Sequence, residues 1–259
     1  MDMQLGIQDA RACPHALQEP PNLLPSRDAN DRQPARPRLM RVSEIDRECD
    51  PASPLRSIVD WIRGFLARPH PQLGRPGLVC PFVPGALKLD TIWLAEMPDA
   101  APSFEHISAI MTEYRAIFQQ LEPRTGPDSM NKVFLLVFPA LAAQGAEGAA
   151  VIEKVHASLK PSFVEIGMLV GEFHVANEGA GLRNPDFRPL RSPLPMLAMR
   201  HLVESDLPFL TRDFYSPQLR SAFVRSYLFR LGGALSHAKF NEAVEALIAA
   251  EMAIASNPA

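Results

Sequence analysis

Apolar positions in this chain take up a regular rhythm only after Ser53. Leu55, Ile58, Val59, Ile62, Phe65 and Leu66 recur three and four apart, which places them on one helical face. Ser53-Pro54 supplies a capping hydroxyl and a first-turn proline for that helix, which is expected to end near Arg68-Pro69. The same spacing in Ile107, Ile110, Met111, Tyr114, Ile117, Phe118 and Leu121 predicts a second helix from Ser103 to Leu121. GAAVIEKVHASL reads as a third, and Ser216–Leu231 and Ala234–Ala255 read as a terminal pair broken at Gly232-Gly233.

Between these helices the rhythm changes. KVFLLVFP, residues 132–139, is an unbroken apolar run bounded by turn formers, which suits a central strand covered on both faces. TIWLAEM has the β-branched and aromatic content of another strand, and MLVGEFH and MLAMRHLV are two more. Strands alternating with helices predict an α/β or α+β fold, a single domain with a mixed central sheet flanked by helices and a C-terminal helical pair. The expected layout is a disordered Pro/Arg-rich leader over 1–53, a core carrying the site over 54–215, and C-terminal helices packed on the core over 216–259. PSRDANDRQPARPRL illustrates the leader: it has no apolar periodicity to repay ordering.

Composition narrows the function classes. With 259 residues, of which 47% are hydrophobic, the chain can bury a substantial core. A formal charge of -3 lacks the basic excess that binding a phosphate backbone requires, so nucleic acid is not an expected partner. No apolar run approaches the roughly 18–20 residues that span a bilayer, and the first residues lack the basic-then-apolar order of a signal peptide. A cytoplasmic protein without membrane contact is expected. Cys13, Cys49 and Cys80 show no CxxC spacing and are expected to be reduced thiols. There is no GxGxxG before a helix, no Walker loop, no HExxH and no GxSxG, so the common nucleotide, zinc-protease and hydrolase readings have no support.

One block concentrates the chemistry. Lys160–His201 reads KPSFVEIGMLVGEFHVANEGAGLRNPDFRPLRSPLPMLAMRH, with two histidines and Arg183, Arg188, Arg191 and Arg200 around a glycine-bearing loop. Loops of about twenty residues inside a compact domain are usually functional or disordered, and RNPDFRPLRSP favours function. His174 ends a strand just before this loop, where an imidazole can bind a metal or move protons; it can equally hydrogen-bond the loop backbone. Glu172, two positions earlier, shares its strand face and can orient that imidazole or contact the same ligand. His201 follows Arg200 in the next strand, so the two alternate between faces. His156 on its helix reads as structural or solvated. Arg183, Arg188 and Arg191 suit a clamp for carboxylate or phosphate, or else they tie the loop down through Asp186, Glu178 and backbone carbonyls.

VCPF at 79–82, the IWLA that follows, KPSFVEIGMLVGEFH and RNPDFRPLRSPLPMLAMRH together resemble an uncharacterised bacterial family often met near biosynthetic clusters for specialised metabolites, over about residues 55–215. More distantly, CPF, an apolar strand, a long helix, LLVFP, a helix and a Gly-x-x-His strand end followed by an Arg- and Ser-bearing loop are similar to the YqcI/YcgG family, which includes haem-dependent oxygenases that hydroxylate a guanidine nitrogen. This chain has His-Val where that family tends to have His-Pro, and its loop is spaced differently. The resemblance implies a haem-dependent monooxygenase-like oxidoreductase of specialised metabolite biosynthesis acting on a small amino-acid-like substrate. It implies His174 as the iron ligand and Arg191, beside Ser192, at a haem propionate or a substrate carboxylate; with the residue reading above, His201 is the second candidate ligand, Arg188 joins Arg191 at the cofactor, and Glu172, Arg183 and His201 are assigned to the substrate. The alternative is a non-catalytic protein that binds an anionic metabolite or carrier-bound intermediate through the arginine loop. Expected partners are the small-molecule substrate and either a second copy of the chain or a biosynthetic partner protein.

Overall fold

The computed structural model describes residues 37–256. Along the chain, strand β1 (Met40–Arg41) leads into helices α1 (Val42–Glu48), α2 (Pro54–Trp61) and α3 (Val83–Lys88). Strand β2 (Ile92–Glu96), helix α4 (Phe104–Gln120), strand β3 (Val133–Val137) and helices α5 (Pro139–Ala142) and α6 (Ala146–Glu165) follow. Strands β4 (Met168–Phe173) and β5 (Met196–His201) precede helices α7 (Leu207–Leu210), α8 (Pro217–Leu231) and α9 (His237–Ser256). The strands form one mixed five-stranded sheet in the order β1-β2-β3-β5-β4. Only β2 and β3 are parallel, joined by a crossover through α4; the other pairs are antiparallel. The protein is one α/β domain of the expected class.

Alternation along β3 explains its unbroken apolar run. Phe134 and Leu136 face α4 and α6, packing with Met111, Tyr114, Phe118, Ile152, Val155 and Phe163. Leu135 and Val137 face the other way, against Ile45, Ile58, Val59 and Ile62. Both faces of the central sheet are therefore covered, and each strand residue has an apolar partner whichever way it points. α8 and α9 form a third cluster with Val164, Leu202, Leu207 and Leu210, which docks the C-terminal pair against the end of α6.

Helix ends follow their local chemistry. The Ser53, Ser103 and Ser216 hydroxyls accept from the backbone N–H three residues on, at 3.3, 3.1 and 3.2 Å. α2 continues as one wider turn through Leu66, as its apolar spacing predicts. Lys132, almost completely buried, donates to the Phe118 and Leu121 carbonyls at 2.9 and 2.7 Å, placing a cation at the negative end of α4.

Two expectations need correction. The leader does not extend to residue 53 as unstructured chain: Met40 and Arg41 pair with Leu94 and Trp93, and Val42 and Ile45 of α1 are buried. This short segment offers too few apolar anchors for a periodicity to register, yet the free edge of β2 accepts a strand. The rest of that leader, residues 1–36 with Cys13 and His15, lies outside the described residues. α6 also runs past Leu159 to Glu165, through Pro161. Gly167, at φ +79°, turns the chain after the helix and delivers it directly into β4.

Candidate functional site

The tight turn at Gly167 makes α6 and β4 run antiparallel, so polar residues on one helix face meet those on one strand face. Glu153, His156 and Lys160 lie at i, i+3 and i+7 of α6, a single helical stripe. Glu172 and the His174 just beyond β4 share a sheet face about 7 Å apart. Pairing follows this order: Glu153 meets His174 at 3.1 Å, and His156 meets Glu172 at 2.6 Å. Lys160 continues the row toward the segment between α7 and α8.

His156 sits between two acceptors. Its Nε2 lies 3.1 Å from the Val170 carbonyl, and its Nδ1 lies 2.6 Å from Glu172 Oε2. A carbonyl only accepts, so Nε2 carries hydrogen. The short contact on the other nitrogen needs one more proton, held on the ring or on the carboxyl. Burial pushes the Glu172 carboxyl up, but the hydrogen bond and charge of His156 and the charge of Lys160 outweigh it and bring Glu172 below the ordinary carboxylate range. Glu172 is therefore ionised at neutral pH and accepts at this contact. The pair is not sealed off, since the two side chains are 14% and 20% exposed.

Lys160 is only 6% exposed. Its Nζ donates to the Phe209 carbonyl at 3.0 Å and to the Tyr215 hydroxyl at 2.5 Å, and it lies 4.8 Å from the Tyr215 ring centroid. No carboxylate among the described residues contacts it. Burial is the main cause that lowers its pKa to about 8, with Arg212 adding to the fall and Glu172 opposing it. Burial and Glu172 raise the Tyr215 hydroxyl to about 12, so it stays protonated. Arg212, half-buried beside this group, donates to the Ala180 carbonyl at 3.4 Å and pairs with no carboxylate among the described residues.

The residues singled out by sequence are placed unequally. Glu172 is in the cluster, but it partners His156 rather than His174. His174 is 1% exposed, its Nε2 is taken by Glu153, and its buried Nδ1 has no hydrogen-bond partner. Arg188 and Arg191 do not form an open clamp. Arg188 Nε donates to Glu178 at 2.9 Å and its guanidinium also bonds the Pro185 carbonyl; Arg191 pairs with Glu178 and donates to the Asn177 carbonyl at 3.1 Å. Of the two roles open to these arginines, bracing the loop is the one observed.

Arg183 is exposed, its backbone packed on Gly74. His201 stands on the same sheet face as Glu172 but four residues along the paired strand, about 13 Å away. There it packs 5.2 Å from the Phe118 ring with Nε2 unpartnered, and burial followed by the charge of Lys132 lowers its pKa. Arg200 points to the opposite face and forms a two-pronged pair with Asp206 at 2.6 and 2.7 Å.

A haem at His174 was tested against this donor set. Ligation needs a ring nitrogen open to a macrocycle, yet Nε2 holds Glu153 and the whole side chain is 2% exposed. The two arginines assigned to the cofactor both pair with the single carboxylate of Glu178. Among the described residues no group of three or more His, Cys, Asp or Glu is placed to hold a metal ion. As arranged, these residues do not fit a haem, and no chemical step is derived through one.

His156, Lys160, Arg212 and Tyr215 carry the cluster yet were passed over as site residues in the sequence. Lys160 and His156 sit in an ordinary amphipathic helix, and Lys160 and Tyr215 are 55 positions apart. The signal available was the spacing of Glu153, His156 and Lys160 on one stripe, where a core-facing helix would place apolar residues.

Among the described residues no helix is long and apolar enough to cross a membrane. No curated protein and no solved structure matches the chain. A family model described as a domain of unknown function, DUF6875, matches residues 55–240, from the start of α2 to the start of α9 and across the whole polar seam, and the chain belongs to that family.

Proposed function

We propose that the chain acts on a small, carboxylate-bearing, amino-acid-like metabolite by proton transfer at the seam between α6 and β4. The Glu172–His156 pair carries this reading: His156, with its other nitrogen fixed on a backbone carbonyl, holds one oxygen of a partly exposed, ionised carboxylate at 2.6 Å, and that oriented carboxylate takes and returns one proton. Arg212, free of a carboxylate partner among the described residues, supplies the planar donor set that recognises a carboxylate. Lys160 adds positive charge behind it. With Lys160 at about 8 still largely protonated at neutral pH, and Arg212 always charged, the two cations outweigh the single charge of Glu172 and favour an anion.

The experiment is exchange of solvent deuterium into the α-carbon of candidate amino acids and 2-oxo acids, followed by proton NMR, alongside calorimetric binding of the same compounds. Exchange that is lost in Glu172→Gln, with binding weakened in Arg212→Met, supports the proposal. Binding without exchange in the native chain favours the non-catalytic alternative, at this seam rather than at the arginine loop. No binding and no exchange across the panel overturns both.

A further inference from the structure

The proton-transfer reading leaves one buried nucleophile unused. We infer that Lys160 Nζ forms a reversible imine with the carbonyl carbon of a 2-oxo acid, with the Tyr215 hydroxyl at 2.5 Å as the proton donor and acceptor beside it. This rests on the proposed site and deepens it by naming the substrate class.

The placement of the amine supports the assignment. Lys160 is held by a carbonyl, a hydroxyl and two aromatic rings, Tyr215 at 4.8 Å and Phe223 at 5.7 Å, and no described carboxylate contacts it as a counter-ion. Burial outweighs the pull of the carbonyl and ring faces on a cation and brings the amine to about 8, so the neutral form, which has the lone pair that attack on a carbonyl requires, is accessible near neutral pH. Glu172, His156, Arg212 and Tyr215 are each half-buried, and Arg212 and Glu172 lie close enough to act on the charge of Lys160, so in this assignment the substrate enters with its carboxylate on Arg212. A 2-oxo acid carries the carboxylate and the electrophilic carbon on adjacent atoms.

The step balances without a redox partner. The Nζ lone pair forms the N–C bond, and the carbonyl oxygen is protonated to give a carbinolamine. The C–O bond then breaks, and the oxygen leaves as water with the two hydrogens of the amine. Tyr215, hydrogen-bonded to the amine at 2.5 Å, is the group placed to pass those protons. Hydrolysis reverses the sequence.

The test uses the full chain with pyruvate and sodium cyanoborohydride, read by intact mass and peptide mapping. Expected is one reduced pyruvyl adduct per chain, on Lys160 and not on the exposed Lys88 or Lys154, blocked by excess lactate, which has the carboxylate but no carbonyl. Lys160→Arg removes the adduct, and Tyr215→Phe slows its formation by about a hundredfold. Labelling spread over the surface lysines, or no labelling although lactate binds, overturns the imine and leaves the proton-transfer reading standing. If neither lactate nor pyruvate binds and no adduct forms, both readings fall. Lactate protection of the native chain keeps the result decisive even where a variant does not fold.

Discussion

His156 and Glu172 face each other across the α6–β4 seam with Nδ1 and Oε2 2.6 Å apart, and the Val170 carbonyl fixes the opposite ring nitrogen. Because Glu172 is held below its ordinary pKa, its contribution to stability is complete above about pH 4.5 and is lost as pH falls through the lower folded value. Glu172→Gln is expected to cost about 1–3 kcal/mol near neutrality and to flatten the acid limb of the stability curve. Urea denaturation from pH 7 down to 3, compared between variant and parent, checks it; an unchanged difference across that range contradicts the pairing.

Lys160 acts at the other end of the pH scale. Its folded pKa of about 8 lies below its ordinary 10.5, so the unfolded chain binds more protons between those values and stability rises with pH across them. Tyr215 and Tyr227, both raised to about 12, work in the opposite sense above pH 10, which leaves pH 8 to 10 as the window to read. Lys160→Met is expected to reduce the rise in that window, with a difference on the order of 1–2 kcal/mol, while Lys132, also lowered by burial, keeps its own share. Thermal melts at pH 7, 8, 9 and 10 measure it.

Glu178 gathers Arg188 and Arg191 and so closes the loop between β4 and β5. Glu178→Ala is expected to speed amide hydrogen exchange over residues 177–192 while the melting temperature and ligand binding at the seam stay near the parent values. Loss of binding in this variant instead would return the arginine loop to the site.

Glu153 holds His174 Nε2 at 3.1 Å. Expression with a haem precursor is therefore expected to give a protein without a Soret band and without stoichiometric iron. A Soret band that disappears in His174→Ala would restore the oxygenase reading and show that the Glu153 contact yields to the cofactor.

Apolar spacing by itself determined the class of the fold. Seven apolar positions on one stripe specify α4, and the unbroken run of Val133–Val137 specifies a strand covered on both faces. Serines at 53, 103 and 216 mark helix starts because a cap satisfies its own next turn, a purely local bond. Residues 40–48 escaped notice because their order depends on the free edge of β2 rather than on any rhythm of their own.

Glu172 was singled out in the sequence because it lies two positions before His174 on one strand face, and the dense block from Lys160 onward contains two members of the seam, Lys160 and Glu172. What only the tertiary structure decided is which charge meets which. The arginines conspicuous in sequence are satisfied by Glu178, within their own loop, whereas His156 and Lys160, inconspicuous on a helix, are turned by Gly167 onto the polar edge of β4 and toward Arg212 and Tyr215. Periodicity is a local property of a few turns of chain. A hydrogen-bonded pair depends on the packing angle and register of two elements, and those are set by the whole core.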